Sequence, residues 1–172
     1  MRITVRDALV GDAKGFAEIR VKSWQVAYVD YMNGEFLQSM SISKQEEQWN
    51  TILESPSEGK YVVAEDSRGV KAFAVYGPAR DHDIEGDIAE LVALNVHPEH
   101  WRNRFGSTLL LDVMKKAKAL GYIEIYLWVI EGNEAAIGLY TKHGFTYSGI
   151  RKVNTKHSGN PIDELRYSAS LV

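Results

Sequence analysis

The sequence predicts an α/β fold in which a mixed sheet of about seven strands is flanked by about four helices. Seven short segments have the alternation or the apolar runs of strands, and four segments carry apolar residues at helical spacing. Between residues 88 and 129 a strand, a helix and a strand follow one another, which implies a right-handed crossover between parallel neighbours. Short turns elsewhere predict antiparallel hairpins, so the sheet is predicted to be mixed.

Apolar spacing and capping residues predict the four helices. Asp12 is placed to cap the first helix, and Ser43 and Glu46 have the spacing of a capping box for the second. Gly121 and Gly144 follow the third and fourth helices, at the position where helices commonly end. The predicted helices are residues 12–28, 44–54, 105–120 and 134–142.

The strands are predicted from apolar and β-branched segments between turn residues. Residues 66–69 predict a hairpin between the second and third strands, and the last two strands form a hairpin around a loop with Gly159 and Pro161. The predicted strands are a segment around Ile3 and Val5 and residues 60–65, 70–76, 88–96, 122–129, 145–151 and 162–170.

Composition limits the classes of protein to which the chain can belong. The 172 residues, 45% hydrophobic and 25% charged, predict one globular domain over residues 1–172. A net charge of -3 lacks the basic excess of a nucleic-acid surface. No apolar run approaches the roughly 20 residues that cross a bilayer, so we expect no membrane partner and a cytoplasmic location.

No metal site is expected. Cysteine is absent, which excludes a thiolate metal site, a disulfide framework and a cysteine nucleophile. His97 and His100 are three residues apart, but Pro98 and the loop are expected to break the helical face that such spacing would need.

The segment from residue 90 to residue 121 carries the chemical signal. A strand ends at Val96, and a helix starts near Arg104 after a short loop. Because the first amides of a helix lack backbone partners and carry partial positive charge, such a junction can bind phosphate. Arg102 and Arg104 add charge there, although most junctions of this kind bind nothing and both arginines are equally well explained as surface residues.

Two segments resemble motifs of the GNAT superfamily of N-acetyltransferases. The first motif has the form Glu-Leu-x-x-Leu-x-Val-x-Pro before a Gly-rich turn, and Glu90, Leu91, Leu94, Val96 and Pro98 match it. The later motif is matched by Asn133, Ala136, Tyr140, Gly144 and Phe145. The turn departs from the family pattern, because residues 101–106 read Trp-Arg-Asn-Arg-Phe-Gly and Arg104 stands where the first glycine is usual.

The resemblance implies a sheet that is splayed at its centre and admits acetyl-coenzyme A. It assigns pantetheine contacts to the backbone of Leu94, Asn95 and Val96, and it makes the backbone near Leu94 a donor to the thioester carbonyl. Asn133 and Tyr140 are also assigned to the cofactor. The pyrophosphate is assigned to the amides of Arg102, Asn103, Arg104, Phe105, Gly106 and Ser107. An amide of Arg104 that donates there is expected to have helical dihedrals.

Two catalytic roles follow from the resemblance. Tyr140 is the candidate acid for the departing thiolate, with core packing as its alternative role. Glu90 is the candidate base for the amine, with an outward, solvated side chain as its alternative.

The acceptor is predicted to be a primary amine. In a fold of this kind Trp24, Tyr28 and Tyr31 border the acceptor, although core packing is the favoured explanation of Trp24. The acidic loop over residues 81–87 could attract a cation, although such a charge run is more often only solvated. Together these features favour a polyamine or a similar small amine before a protein or peptide amine. A coenzyme A-binding regulatory module without activity is the alternative function. The resemblance also allows a homodimer.

Overall fold

The protein forms one seven-stranded sheet with helices on both of its faces. The computed structural model describes residues 1–156 and 160–172, so Gly159 of the predicted tail loop lies outside the described residues. The strands are β1 (Thr4–Asp7), β2 (Lys60–Asp66), β3 (Gly69–Pro78), β4 (Ile88–Val96), β5 (Glu124–Ile130), β6 (Thr146–Asn154) and β7 (Ile162–Ser170). Their order in the sheet is β1-β2-β3-β4-β5-β7-β6. The β4–β5 pair is parallel and the other pairs are antiparallel, which confirms the predicted mixed sheet.

Five α-helices occur in the described residues, where four were predicted. They are α1 (Ala13–Ala27), α2 (Gly34–Ser39), α3 (Ile42–Glu54), α4 (Phe105–Ala119) and α5 (Glu134–Lys142). The unpredicted helix α2 is six residues long, too short to show a helical period. It forms because the side chain of Asn33 accepts the amides of Glu35 and Phe36, and because Leu37 is buried.

Two capping predictions are wrong in detail. Asp12 precedes α1 but makes no side-chain cap, because its carboxylate accepts the amide of Leu9 and pairs with Arg6 at 2.7 Å. Helix α3 is capped by Ser41 rather than Ser43, and the Ser41 hydroxyl accepts the amide of Lys44. Both helices nevertheless begin within two residues of the predicted starts.

The two faces of the sheet have separate cores. On one face Phe16 of α1 stacks on Phe73 of β3 with ring centroids 4.3 Å apart, and Trp49 of α3 lies against both rings. On the other face Leu109 and Val113 of α4 are fully buried against the same strands. Helices α1 and α4 therefore clamp β3 and β4 from opposite sides.

The sheet splits between β4 and β5. These strands pair only from Ile88 to Glu90 on β4, although both continue for several residues. At the same point β4 carries one extra residue, since Tyr76 of β3 pairs with Leu91 and the preceding Val75 pairs with Ala93. An extra residue of this kind bends a strand and increases its twist, which turns β4 away from β5. The predicted central splay is confirmed.

None of the helices in residues 1–156 and 160–172 is both long and apolar enough to span a bilayer.

We predict that Phe16→Ala lowers the free energy of unfolding by about 3–5 kcal/mol, because the ring is fully buried and its loss leaves a cavity between α1 and β3. Urea denaturation measures the change. Leu111→Ala, at a side chain 52% exposed on α4, is the control and should stay within about 0.5 kcal/mol. A loss below 1 kcal/mol at Phe16 would contradict the described core.

Candidate active site

A cleft of about 1110 Å³ occupies the split between β4 and β5. Leu94 and Val96 of β4 line one wall, and Val129 of β5 lines the other. Tyr140 of α5 and Trp24 of α1 also line it. The lining includes Trp24 of α1 on one face of the sheet and Gly106 and Ser107 of α4 on the other face.

The backbone of β4 is presented to the cleft at alternate residues. The amide of His97 donates to the carbonyl of Lys71 on β3, so the backbone groups of Leu94 and Val96 point the other way, toward the split. The indole of Trp101 already bonds the carbonyl of Val96 at 2.8 Å. By the same alternation the backbone of Asn95 faces β3, but its side chain lines the cleft and its buried Oδ1 has no partner among the described residues.

The turn before α4 is held in an unusual backbone conformation. Arg102 and Arg104 have φ angles of 62° and 66°, in the left-handed region, so the expectation of helical dihedrals at Arg104 is wrong. A side chain there costs about 1–2 kcal/mol relative to glycine. Both arginines are exposed, both line the cleft, and neither fills the turn.

The remaining predicted pyrophosphate residues divide into two groups. Gly106 and Ser107 line the cleft in the first turn of α4, where amides have no intrahelical acceptor. The hydroxyl of Ser107 is 3.1 Å from Nε2 of His143. Asn103 and Phe105 do not line the cleft; Phe105 is buried in the core beneath the turn. Any contact of these two residues with a phosphate must come from the backbone.

Helix α5 brings Asn133 and Tyr140 to the cleft. The Asn133 side chain caps the helix by accepting the amide of Ala136, and it lines the cleft as well. Tyr140 is 8% exposed, and its hydroxyl makes no hydrogen bond with the described residues. Burial and the nearby Tyr28 raise the pKa of Tyr140, so its hydroxyl holds its proton at neutral pH. Tyr140 therefore presents a potential proton donor.

Glu90 lies at the last paired position of β4 and is 2% exposed, so its solvated alternative is wrong. Its carboxylate accepts two hydrogen bonds from the Arg80 guanidinium, at 2.8 and 2.9 Å, and one from the Tyr126 hydroxyl at 3.0 Å. Burial alone raises the pKa of Glu90, but these hydrogen bonds and the charge of Arg80 outweigh it and leave the pKa below its usual value. The contacts favour an anchoring role over the predicted base role.

Of the three predicted acceptor residues, two line the cleft. Trp24 and Tyr28 meet edge to face with ring centroids 5.2 Å apart and line the cleft on the α1 side. Tyr31 lies outside it, with its hydroxyl against Gly132. Sequence reasoning missed other lining residues, because no motif marks them and they approach from distant segments: Arg20, Arg80, Trp128, Lys152, Asn154 and Glu164.

The acidic loop does not face the cleft. Arg166 of β7, 6% exposed, pairs with Asp81 at 2.9 Å and with Asp83 at 2.7 Å. The indole of Trp128 also donates to Asp81. These two carboxylates are compensated within the protein, and the acidic residues of this loop do not line the cleft. The attraction expected of them for a cationic acceptor therefore loses its basis.

The loop between β4 and the turn before α4 brings the side chains of His97 and His100 close together, which the sequence analysis did not expect. Residues 98–100 form one turn of 3₁₀-helix, and ligand atoms of His97, Glu99 and His100 lie within 4.8 Å of one another. The amide of Glu99 donates to Nδ1 of His97, so this imidazole already caps the turn.

The chain resembles known N-acetyltransferases throughout. The sequence profile of the Acetyltransferase (GNAT) family matches residues 15–145. The uncharacterized N-acetyltransferase YuaI of Bacillus subtilis (strain 168) is 30% identical over 135 residues, which are 78% of this chain and 76% of that protein. The spermidine N(1)-acetyltransferase of Thermoplasma acidophilum is 28% identical over 171 residues, which are 98% of this chain and 100% of that protein.

A solved structure shares the fold. The PaiA N-acetyltransferase of Thermoplasma acidophilum, crystallised with coenzyme A, superposes with a TM-score of 0.74 at 22% identity over 99% of both chains. The chain belongs to the GNAT family of acetyltransferases. The class of enzyme predicted from the two motifs, an acetyl-CoA-dependent N-acetyltransferase, is confirmed.

We predict that Arg104→Gly raises the free energy of unfolding by about 1 kcal/mol, because glycine adopts the left-handed backbone without strain. Arg104→Ala is the matched control, since it removes the same charge but keeps a Cβ, and it should give no gain. Chemical denaturation of both variants measures the difference. Equal stabilities of the two variants would show that the turn is unstrained.

We predict that Glu90→Gln lowers the free energy of unfolding by about 1–3 kcal/mol at pH 7. A carboxyl whose pKa is lowered on folding stabilises fully above its unfolded pKa, about 4.3 for glutamate, and loses this contribution as pH falls through its folded pKa. The deficit should therefore shrink on acidification toward pH 3. Glu131→Gln, which breaks an exposed pair with Arg151, is the control and should change stability little at either pH. A deficit at Glu90 that is independent of pH would refute the assignment.

Proposed function

We propose that the enzyme transfers the acetyl group of acetyl-CoA directly to the primary amine of a small molecule held in the cleft. The observation that carries the proposal is a single cleft through the split sheet, with an unpaired strand backbone on one wall and a helix start at one end. Such a cleft holds both reactants at once, so positioning supplies much of the rate.

The acetyl-CoA would lie along β4. Its pantetheine arm would pair with the backbone of Leu94 and Val96, and the orphaned Oδ1 of Asn95 supplies an acceptor for a ligand N–H. The pyrophosphate oxygens would accept hydrogen bonds from the amides at the start of α4, where the helix macrodipole favours anions. The exposed side chain of Arg104 is free to swing onto a phosphate, because its left-handed backbone directs it away from the core.

The reaction forms the new N–C bond and breaks the C–S bond. The neutral amine attacks the thioester carbonyl, whose oxygen would be stabilised by the amide of Leu94. The resulting intermediate expels the coenzyme A thiolate, and the Tyr140 hydroxyl would give it a proton. The attacking nitrogen loses one proton, which returns through water to the Tyr140 phenolate, so the thiol and the amide are neutral products and Tyr140 regains its hydroxyl.

The proton of the amine needs its own acceptor, because an alkyl ammonium with a pKa around 10.4 is not nucleophilic. Glu90 remains the motif's candidate, but its low pKa and its bonds to Arg80 and Tyr126 make it a weak base. We propose that water in the cleft carries this proton to solvent and that Glu90 fixes Arg80 at the acceptor side.

A polyamine is the second candidate for the acceptor. It is favoured by the 28% identical relative that is named a spermidine acetyltransferase. A peptide amine follows, because the cleft opens to the surface on the α1 side.

We predict that Tyr140→Phe lowers kcat by about 10²- to 10⁴-fold and leaves the Kd for acetyl-CoA within a factor of two. The variant keeps the buried ring and removes only the hydroxyl group. Thiol release over a panel of amines measures kcat, and calorimetry with acetyl-CoA measures Kd.

The same measurements test the proposed function itself. Tyr122→Phe, a tyrosine outside the cleft lining, is the control and should keep full activity. No acetyl-CoA binding by the wild-type protein would reject the proposal, and binding without transfer to any amine would favour the regulatory module.

A further inference from the structure

Arg20 is a half-buried arginine on the acceptor side of the cleft, and no carboxylate of the described residues pairs with its charge. It lies on α1, and its guanidinium stacks over the ring of Trp24 at 4.3 Å. It makes no ion pair with residues 1–156 or 160–172, and its buried Nε has no hydrogen-bond partner there. Arg6, Arg80 and Arg166, in contrast, each have a carboxylate oxygen at 2.7 or 2.8 Å.

The surroundings of Arg20 leave its positive charge uncompensated. Burial lowers the pKa of Arg20, in keeping with the absence of a nearby carboxylate. The other charged groups of the acceptor side are already in pairs: Arg80 with Glu90 at 2.8 Å, and Lys152 with Glu164 at 3.8 Å. Removing an unpaired charge from water is unfavourable, so such a group is expected to meet an anion when the site is filled.

A smaller pocket beside the cleft also carries positive charge. It has a volume of about 270 Å³ and shares Arg20 and Trp24 with the cleft. Its charged lining residues are Arg20 and Lys44, and no carboxylate of the described residues lines it. The serine hydroxyls and glutamine amides of this pocket supply further donors. An anionic group therefore finds donors here and no repulsion.

The position of Tyr28 connects this pocket to the reacting centre. Tyr28 lines the cleft together with Arg20 and Tyr140, and its ring contacts that of Trp24, over which Arg20 stacks. An acceptor that lies along Tyr28 has one end toward Arg20 and the other toward the thioester.

We propose that Arg20 binds a carboxylate of the acceptor, so that the enzyme acetylates the amine of a compound of the amino-acid class. The proposal rests on the proposed acetyl transfer and names its acceptor. The guanidinium presents a planar fork that matches a carboxylate, and the rings of Trp24 and Tyr28 contact the carbon skeleton between the two ends. A polyamine offers no group to Arg20, so this acceptor class is distinct from that of the spermidine relative.

Matched amines test the proposal. Lysine and cadaverine differ only by the carboxylate, as do phenylalanine and phenethylamine. For the wild-type protein we expect kcat/KM for each amino acid to exceed that for its decarboxylated partner by about 10- to 100-fold. Arg20→Gln should remove this preference, mainly through a higher KM for the amino acids, so that lysine falls to the level of cadaverine. Lys14→Gln, an exposed cation on the same helix, is the control and should keep the preference.

Two results would overturn the inference. One is a wild-type preference for cadaverine or spermidine over lysine. The other is an equal loss for both members of a pair in Arg20→Gln. If that variant does not fold, Arg20→Lys keeps the charge without the planar fork and should retain only part of the preference.

Binding measurements separate this inference from the proposed function. If no amine is acetylated, the proposed function fails, and calorimetric titration of lysine and phenylalanine into the coenzyme A-saturated protein still tests Arg20. Amino-acid binding that is lost in Arg20→Gln would support the anion site. No binding to the wild-type protein, or equal binding to the variant, would refute it.

Discussion

The failure of β4 and β5 to stay paired is the constraint on which the site depends. One extra residue in β4, between Leu91 and Ala93, bends this strand directly after its last pair with β5. The unpaired backbone groups beyond that point need partners, since buried amides and carbonyls are rarely left unsatisfied. The Trp101 indole satisfies the carbonyl of Val96, and a bound thioester arm would satisfy others. The split is stable because α1 and α4 hold β4 from opposite faces.

Several charged side chains around this split are paired with one another. Arg80, Glu90 and Tyr126 tie the segment after β3 to β4 and β5, at the point where the two strands part. Arg166 forms ion pairs with Asp81 and Asp83, and its guanidinium stacks over Trp128. Removing one member of such a group leaves a buried charge without its partner, which is costly. These groups therefore fix the shape of the cleft rather than attract a ligand.

Local patterns in the sequence predicted the framework of the fold. The bounds of β4, α5 and β7 match their predictions because apolar runs and terminal glycines mark them clearly. Both motif segments lie on the cleft as the resemblance implied. The sequence did not reveal α2, which consists of less than two turns and depends on the Asn33 cap and on packing of Leu37. It also did not reveal the partner of Glu90, because a contact across two strands has no periodic signal.

The arginines at the two ends of the cleft differ in their exposure to water, and this difference bears on specificity. Arg102 and Arg104 stand in solvent beside the helix start, where water compensates their charge until a phosphate arrives. Arg20 has lost much of that water, and among residues 1–156 and 160–172 its guanidinium has the face of Trp24 in return, a contact of about 0.5–2 kcal/mol. An exposed cation adds affinity without much selectivity, because water competes for it. A desolvated cation with an unused donor discriminates strongly, because a ligand without an anion leaves it unpaired. The acceptor end is thus the more selective end of the cleft.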